Sequence, residues 1–222
     1  ATQPLNPDKP IRQQTAIAVT HPSLHSRPKR LLDLMGSLIG LTVVMVLFPF
    51  IALAIQLDSP GPVLFSQIRI GLMGRRFRLW KFRSMVSNAE SLRDQVCNEA
   101  SGAIFKNHND PRITRVGYFL RRTSLDELPQ FWNVLTGEMS LIGTRPPTID
   151  EVERYVVPNW QRFDVRPGMS GEWQVYGRSE VKDFDDVIRL DLRYQARWSF
   201  QHDLYLIART ILLILSPRSG AF

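Results

Sequence analysis

The stretch Arg121-Arg122-Thr123-Ser124-Leu125-Asp126-Glu127-Leu128-Pro129-Gln130 sets two adjacent guanidiniums just ahead of two adjacent carboxylates. Those residue types can do phosphorus chemistry. A carboxylate can act as a nucleophile and form a covalent intermediate, and arginines match phosphate oxygens with a rigid fork of donors. The spacing predicts a helix that starts at Ser124. Ser124 with Glu127 three residues later fits a capping box, and Phe131, Trp132, Val134 and Leu135 supply an apolar body. Pro129 is tolerated in a first turn, and Gly137 is a suitable stop. A helix N-terminus would keep a carboxylate ionised, so Asp126 is a candidate nucleophile and Glu127 a candidate metal ligand. The plainer reading uses the same residues: acids in a first turn offset the helix dipole and need do nothing else.

Other elements must hold this set in place. Val63 to Gln67 and Phe77-Arg78-Leu79-Trp80-Lys81-Phe82-Arg83 read as two strands joined through Gly71 and Gly74, the second alternating apolar with basic residues. Ser87 to Val96 reads as a short helix and Asn107 to Pro111 as loop. Gly143-Thr144-Arg145-Pro146-Pro147 is a stiff turn that aims one arginine in a definite direction. Asp150 to Tyr155 opens a helix, and Arg166 to Arg178 reads as a long glycine-rich loop. Asp185 to Trp198 and Asp203 to Leu215 are terminal helices, the last apolar enough for a bilayer interface or a protein core.

From Leu34 to Ile55 no charged residue occurs. A soluble core helix is rarely so long and uniformly apolar, so the run points to membrane insertion. Pro49 removes a hydrogen bond within it and predicts a break or sharp kink. The arm beyond Pro49 is roughly 12 Å of helix, too short to complete a crossing. Arg27, Lys29 and Arg30 precede the run, and Arg69, Arg75, Arg76, Arg78, Lys81 and Arg83 follow it. Basic flanks on both sides place both ends in the cytoplasm and favour a hairpin over a straight span. Asp58-Ser59-Pro60-Gly61-Pro62 ends the membrane part. Residues 1–28, rich in proline, read as a flexible leader or the edge of a longer chain.

The chain is 222 residues with net charge +7 and a sequence pI near 10.0. That balance suits anionic partners: nucleic acid, acidic lipid or phosphorylated substrates. One cysteine, Cys97, excludes an internal disulfide and suits a reducing compartment. The four histidines are scattered, with no zinc-ligand spacing, Walker loop or dinucleotide fingerprint.

Six stretches, in order, resemble the bacterial sugar transferases, the monotopic polyprenyl-phosphate phosphoglycosyl transferases. They are Lys29–Asp33, Asp58–Val63, Lys81–Met85, Asp110–Gly117, Thr123–Gln130 and Gly168–Arg178. The resemblance implies an α+β, mostly helical fold. A re-entrant membrane helix over 29–57 would be followed by a cytosolic catalytic domain over 58–222, with a small β-hairpin and interfacial amphipathic helices. It implies transfer of a sugar-1-phosphate from a UDP-sugar to undecaprenyl phosphate on the cytoplasmic face of the bacterial inner membrane. Asp126 would be the nucleophile and Glu127 would help hold Mg²⁺. Substrate contacts would fall on Lys81, Arg83, Arg112, Arg121, Arg145, Pro146, Gln174 and Arg178. The resemblance also leaves room for a homodimer and for downstream glycosyltransferases as partners. The chain departs from the family at Thr144, where the usual motif is Gly-Pro-Arg-Pro. The ending Arg218–Phe222 resembles the family's usual one and is expected to lie near a true terminus.

A catalytically silent scaffold of the same fold, recruiting glycosyltransferases, is the alternative, and the intact Asp126–Glu127 pair with Arg121 argues against it. The apolar run argues against a nucleic-acid-binding protein. Neither the sugar nor the polysaccharide pathway can be read from the residues.

Overall fold

The computed structural model describes residues 21–99, 107, 109–153, 157–177 and 183–216, so the leader up to residue 20, Arg178 and the ending from 217 lie outside the described residues. The first element, α1 (Arg27–Asp58), starts where the Ser26 side chain accepts from Lys29 N and Pro28 occupies the first turn. It is about 48 Å long at 1.5 Å per residue and is long and apolar enough to cross a membrane. Pro49 sits inside α1, and the helix continues through it to Asp58. The break expected there does not interrupt the element.

One stripe of α1 faces the rest of the protein, and both of its ends are tied down. At the start, buried Lys29 donates from Nζ to Asp203 Oδ2 (2.7 Å) and to the Ile142 carbonyl (2.9 Å), while Asp33 Oδ1 accepts from Ser140 Oγ and Leu141 N. Gly40 lies so close to Phe131 that a Cβ would stand 2.4 Å from the ring. Further along, Ile51 and Ile55 are buried with Phe82 and Leu120. At the end, Asp58 Oδ2 accepts from Val116 N (2.9 Å). The other faces stay bare: Met35, Leu38, Ile39, Val43, Met45, Val46, Phe50 and Leu53 are exposed. That is the reverse of what water selects for.

Strands β1 (Leu64–Ile70) and β2 (Arg76–Phe82) form an antiparallel hairpin, with Leu64 opposite Phe82 and Ile70 opposite Arg76. Its turn needs left-handed backbone at Met73 and Gly74. Phe77 and Leu79 face inward, and Lys81 shares their side of the strand. The helix expected over Ser87–Val96 is reduced to one 3-10 turn, Arg93–Gln95.

Helix α2 (Arg115–Arg122) is capped by the Thr114 hydroxyl, which accepts from Gly117 N. A 3-10 segment (Leu125–Gln130) leads into α3 (Phe131–Thr136), which stops at Gly137 with φ 85°, as the sequence predicts. The start differs from the expectation. Ser124 has φ 57° and its side chain makes no capping bond, so the capping box does not form. A cap needs extended backbone, and Ser124 is left-handed. The dipole argument for Asp126 weakens with it, because the acidic pair lies in a 3-10 turn and not in the first turn of a long α-helix.

Strand β3 (Ser140–Ile142) pairs in parallel with β4 (Gly168–Ser170). Between them lies the short α4 (Ile149–Val152), closed by a Thr148/Glu151 capping box. Then come α5 (Glu172–Tyr176), α6 (Phe184–Ala196) and α7 (Phe200–Leu215). The long loop expected over Arg166–Arg178 is therefore a correction, being built of β4 and α5. Its glycines serve close approach: a Cβ on Gly168 would lie 2.1 Å from Gly143 N. The chain is mostly helical with two small sheets, its apolar residues gathered in several small clusters. Outward-facing Leu204, Ile211, Leu212 and Leu215 make α7 a second apolar surface.

Candidate active site

Asn133 fixes the acidic pair against the hairpin. Its amide is fully buried, donates to the Arg78 carbonyl (2.7 Å) and accepts from Trp80 N (3.3 Å), so α3 is locked onto β2. The 3-10 segment is thereby held over the end of the strand, and Lys81 Nζ meets Glu127 Oε1 at 2.8 Å. Asp126, one residue earlier, is buried.

Arg121 reaches the pair from α2. Gly117, one turn before it, lies against Ser84, where a Cβ would stand 1.9 Å from the carbonyl oxygen. That approach lets Arg121 Nε donate to Ser84 Oγ (2.9 Å). Burial pulls the Arg121 guanidinium below its ordinary range, and the Asp126 carboxylate acts most strongly in the opposite direction. It remains a cation, and the candidate nucleophile lies in its field.

Arg145 extends from the turn after β3. Its guanidinium makes a two-point contact with Glu151 (2.8 and 3.0 Å) and lies 5.5 Å from the Trp173 ring. Burial pushes the Glu151 carboxyl up, yet Arg145, Arg69 and the Thr148 N–H together hold it below its usual value. Thr144, where the family motif has proline, donates its hydroxyl hydrogen to the Arg162 carbonyl (3.2 Å) and is buried. A hydrogen bond therefore restrains the turn where a ring would have.

The fold thus brings Asp126, Glu127, Lys81 and Arg121 together, with Arg145 on the next turn. The remaining candidates stand apart or are otherwise engaged. Arg83 is buried and donates to the Ser59 and Pro60 carbonyls, fastening the turn that follows α1. Arg112 clasps Asp110 through Nε and Nη2 (2.9 and 2.7 Å) and also donates to the Ala89 carbonyl. The Pro146 carbonyl accepts from Arg69 Nη1 (3.1 Å). Gln174 lies on α5, its Oε1 buried and without a hydrogen-bond partner among the described residues. Arg178 lies outside the described residues.

Sequence reasoning did not nominate Arg69, Glu151 or Ser84 for the site. Arg69 stands on a strand of otherwise mixed pattern and borders Arg145, Glu151 and Glu127. The only local signal was a polar Gln67/Arg69 step on one side of β1. A separate open hollow of about 580 Å³ lies between α5, α6 and α7 and does not include the acidic pair. Its charges are largely paired internally, Arg193 and His202 with Glu172 and Arg189 with Asp186.

A hard cation such as Mg²⁺ suits this donor set. It takes carboxylate oxygens, keeps waters and shares the phosphate oxygens of a substrate, so it needs no protein cage. None of the described residues forms a group of three or more His, Cys, Asp or Glu placed to hold a metal.

The chain is 46% identical over 193 residues to the galactosyl transferase CpsE of Streptococcus agalactiae, covering 86% of this chain and 43% of that protein. It is 40% identical over 200 residues to the undecaprenyl-phosphate galactose phosphotransferase of Salmonella typhimurium, covering 87% and 41%. It is also 40% identical over 190 residues to the UDP-glucose:undecaprenyl-phosphate glucose-1-phosphate transferase of Escherichia coli, covering 82% and 39%. The chain spans less than half the length of each of these relatives. The last two bear the names of different sugars at equal identity, so overall similarity does not select the sugar. The model of the family described as bacterial sugar transferase matches residues 24–217, and the chain belongs to that family.

Proposed function

We propose that this chain transfers a sugar-1-phosphate from a UDP-sugar to undecaprenyl phosphate at the cytoplasmic face of the membrane. The observation that carries the reading is the placement of buried Asp126 beside Arg121, next to a Glu127 already paired with Lys81. An Asp126 carboxylate oxygen attacks the phosphorus that bears the sugar. The bond from that phosphorus to the bridging oxygen breaks, and UMP leaves with the electron pair. A phosphate oxygen of the lipid then attacks the same phosphorus, the aspartyl–phosphorus bond breaks, and Asp126 is regenerated as polyprenyl-diphosphate-sugar forms. Splitting the transfer in two spares the enzyme from holding two bulky anions in one encounter. Arg121 and Lys81 stabilise charge as it moves to the leaving group. Glu127 would hold Mg²⁺, which neutralises the diphosphate when bound.

The same reading seats α1 in the membrane as a re-entrant element. Lys29 near its start and Asp58 at its end both bond to one globular body. Contacts at both ends support a reading in which the two ends stay on one side of the bilayer. The exposed apolar residues of α1 and α7 are the lipid-facing candidates.

The test is UMP release from a panel of UDP-sugars with undecaprenyl phosphate and Mg²⁺, parent against Asp126→Asn. Release by the parent alone supports the reaction and the nucleophile. Equal release by both moves the nucleophile elsewhere, and silence from both in folded protein favours the scaffold.

A further inference from the structure

Arg69 is a cation that the proposed chemistry has not used. It stands on β1, where Nη1 donates to the Pro146 carbonyl (3.1 Å) and Nη2 to Gln67 Oε1 (2.7 Å). Each terminal nitrogen keeps a second N–H. Its Nε is buried and meets no acceptor among the described residues. Leaving a guanidinium N–H buried and unmatched is costly, and cationic donors lose most.

The surrounding charges do not neutralise it. The carboxylates in its field are Glu151 and Glu127, and each already has a cation of its own. Glu151 is held at two points by Arg145, and Glu127 pairs with Lys81. Arg145 repels it, and burial together with that repulsion pulls its pKa down to about 10. Glu127 lies in the field of both Arg69 and Arg121, so two guanidiniums from different elements, β1 and α2, border the acidic pair. A structural arginine is normally matched to a carboxylate or a full set of carbonyls, as Arg112 is by Asp110 and Ala89. Arg83 leaves its Nε unmatched among the described residues, as Arg69 does, but it lies at the turn after α1, with both terminal nitrogens on the Ser59 and Pro60 carbonyls. Arg69 is instead half-buried on β1 in the field of Glu127, the residue next to the candidate nucleophile.

We infer that Arg69 binds a phosphoryl group of one of the two substrates, sharing with Arg121 the charge that the transferred phosphate brings to Asp126. This inference rests on the proposed transferase reading. Two sources offer that chemistry, the diphosphate of the sugar nucleotide and the terminal phosphate of the polyprenyl acceptor. Arg69 also holds the Pro146 carbonyl, so a purely structural role in steadying the Arg145 turn is the competing account.

The experiment compares the full chain with Arg69→Gln and Arg69→Lys, measuring KM for the UDP-sugar and for the acceptor separately, together with melting temperature. Loss of a charge-assisted contact raises one KM about 10- to 100-fold. The other KM should stay within about threefold, and the lysine variant should recover part of the loss. A rise confined to the donor assigns the diphosphate, and a rise confined to the acceptor assigns the lipid phosphate. Unchanged KM values in active Arg69→Gln overturn the inference. So does an equal loss in both that follows a fall in melting temperature and is not recovered by lysine. Calorimetric titration with inorganic diphosphate reads the site without turnover. If the parent makes no UMP yet binds diphosphate and Arg69→Gln weakens it about tenfold, the transferase reading fails while the anion site stands. Diphosphate binding that Arg69→Gln leaves unchanged, or its absence from the parent, overturns the anion site.

Discussion

Replacing Asp203 with asparagine should strip α1 of its anchor at near-constant shape. Asp203 has 1% and Lys29 7% of its side-chain surface exposed, and their atoms meet at 2.7 Å. Asp203 also accepts from Tyr194 (2.8 Å) and from the Trp198 indole (3.0 Å). Asparagine can keep one of these bonds, but Lys29 is left buried without its counter-charge. Breaking a buried pair on one side costs about 3–5 kcal/mol, mostly the penalty of the stranded ion. Asp33, one turn along α1, still lies in the field of Lys29, so the lower figure of about 3 kcal/mol is the working value. For a chain of this size that lowers the melting temperature by about 6–12 °C. The assay is thermal unfolding of detergent-solubilised protein at one scan rate, for Asp203→Asn, Lys29→Met and the pair together. The double variant should melt above Asp203→Asn alone, because removing Lys29 removes the stranded charge. An Asp203→Asn protein melting within about 2 °C of the parent, or a double variant that only sums the two losses, would refute the argument.

Gly117→Ala should be among the most damaging methyl additions. Its Cβ would stand 1.9 Å from the Ser84 carbonyl oxygen, and the backbone shift should cost at least about 2 kcal/mol, read as a lower melting temperature and a weakened Arg121 site. Two paired carboxyls should each contribute stability that acid removes. Arg112 holds Asp110 below its ordinary carboxyl range; Glu151 is likewise low, because Arg145 and its hydrogen bonds outweigh burial. Both contributions are full above the unfolded values, near pH 4, and are lost as pH falls through the lower folded ones. Asp191, raised by burial, acts in the opposite direction, so the test is a difference: between neutral pH and a pH below about 4, Glu151→Gln should lose less melting temperature than the parent.

Local pattern carried some of these features and misled on others. The apolar run from Leu34 to Ile55, the turn at Asp58–Pro62, the hairpin and the stop at Gly137 all depend on near neighbours in sequence, and all were legible. The capping box failed for a local reason that sequence does not display: Ser124 takes left-handed backbone so that the acidic pair can turn over β2. The supposed loop at Arg166–Arg178 failed for a non-local reason. Its glycines suggest freedom, yet Gly168 and Gly143 are small because two backbones touch there.

By itself the sequence determined that a long apolar helix precedes a basic domain carrying an acidic pair near two arginines, and that the motifs follow the sugar transferases in order. The helix, the charge and the acidic pair are written in composition, periodicity and spacing, and the order of motifs is a resemblance carried by six short stretches. Only the tertiary structure decided which cation meets which carboxylate. Among many arginines, Arg83 went to carbonyls, Arg112 to Asp110, Arg145 to Glu151 and Arg121 toward Asp126. Arg69, unremarkable in its strand, came to border Glu127. Charge pairing acts across segments far apart in sequence and is settled by where the chain crosses itself, so no reading of neighbours could have assigned those partners.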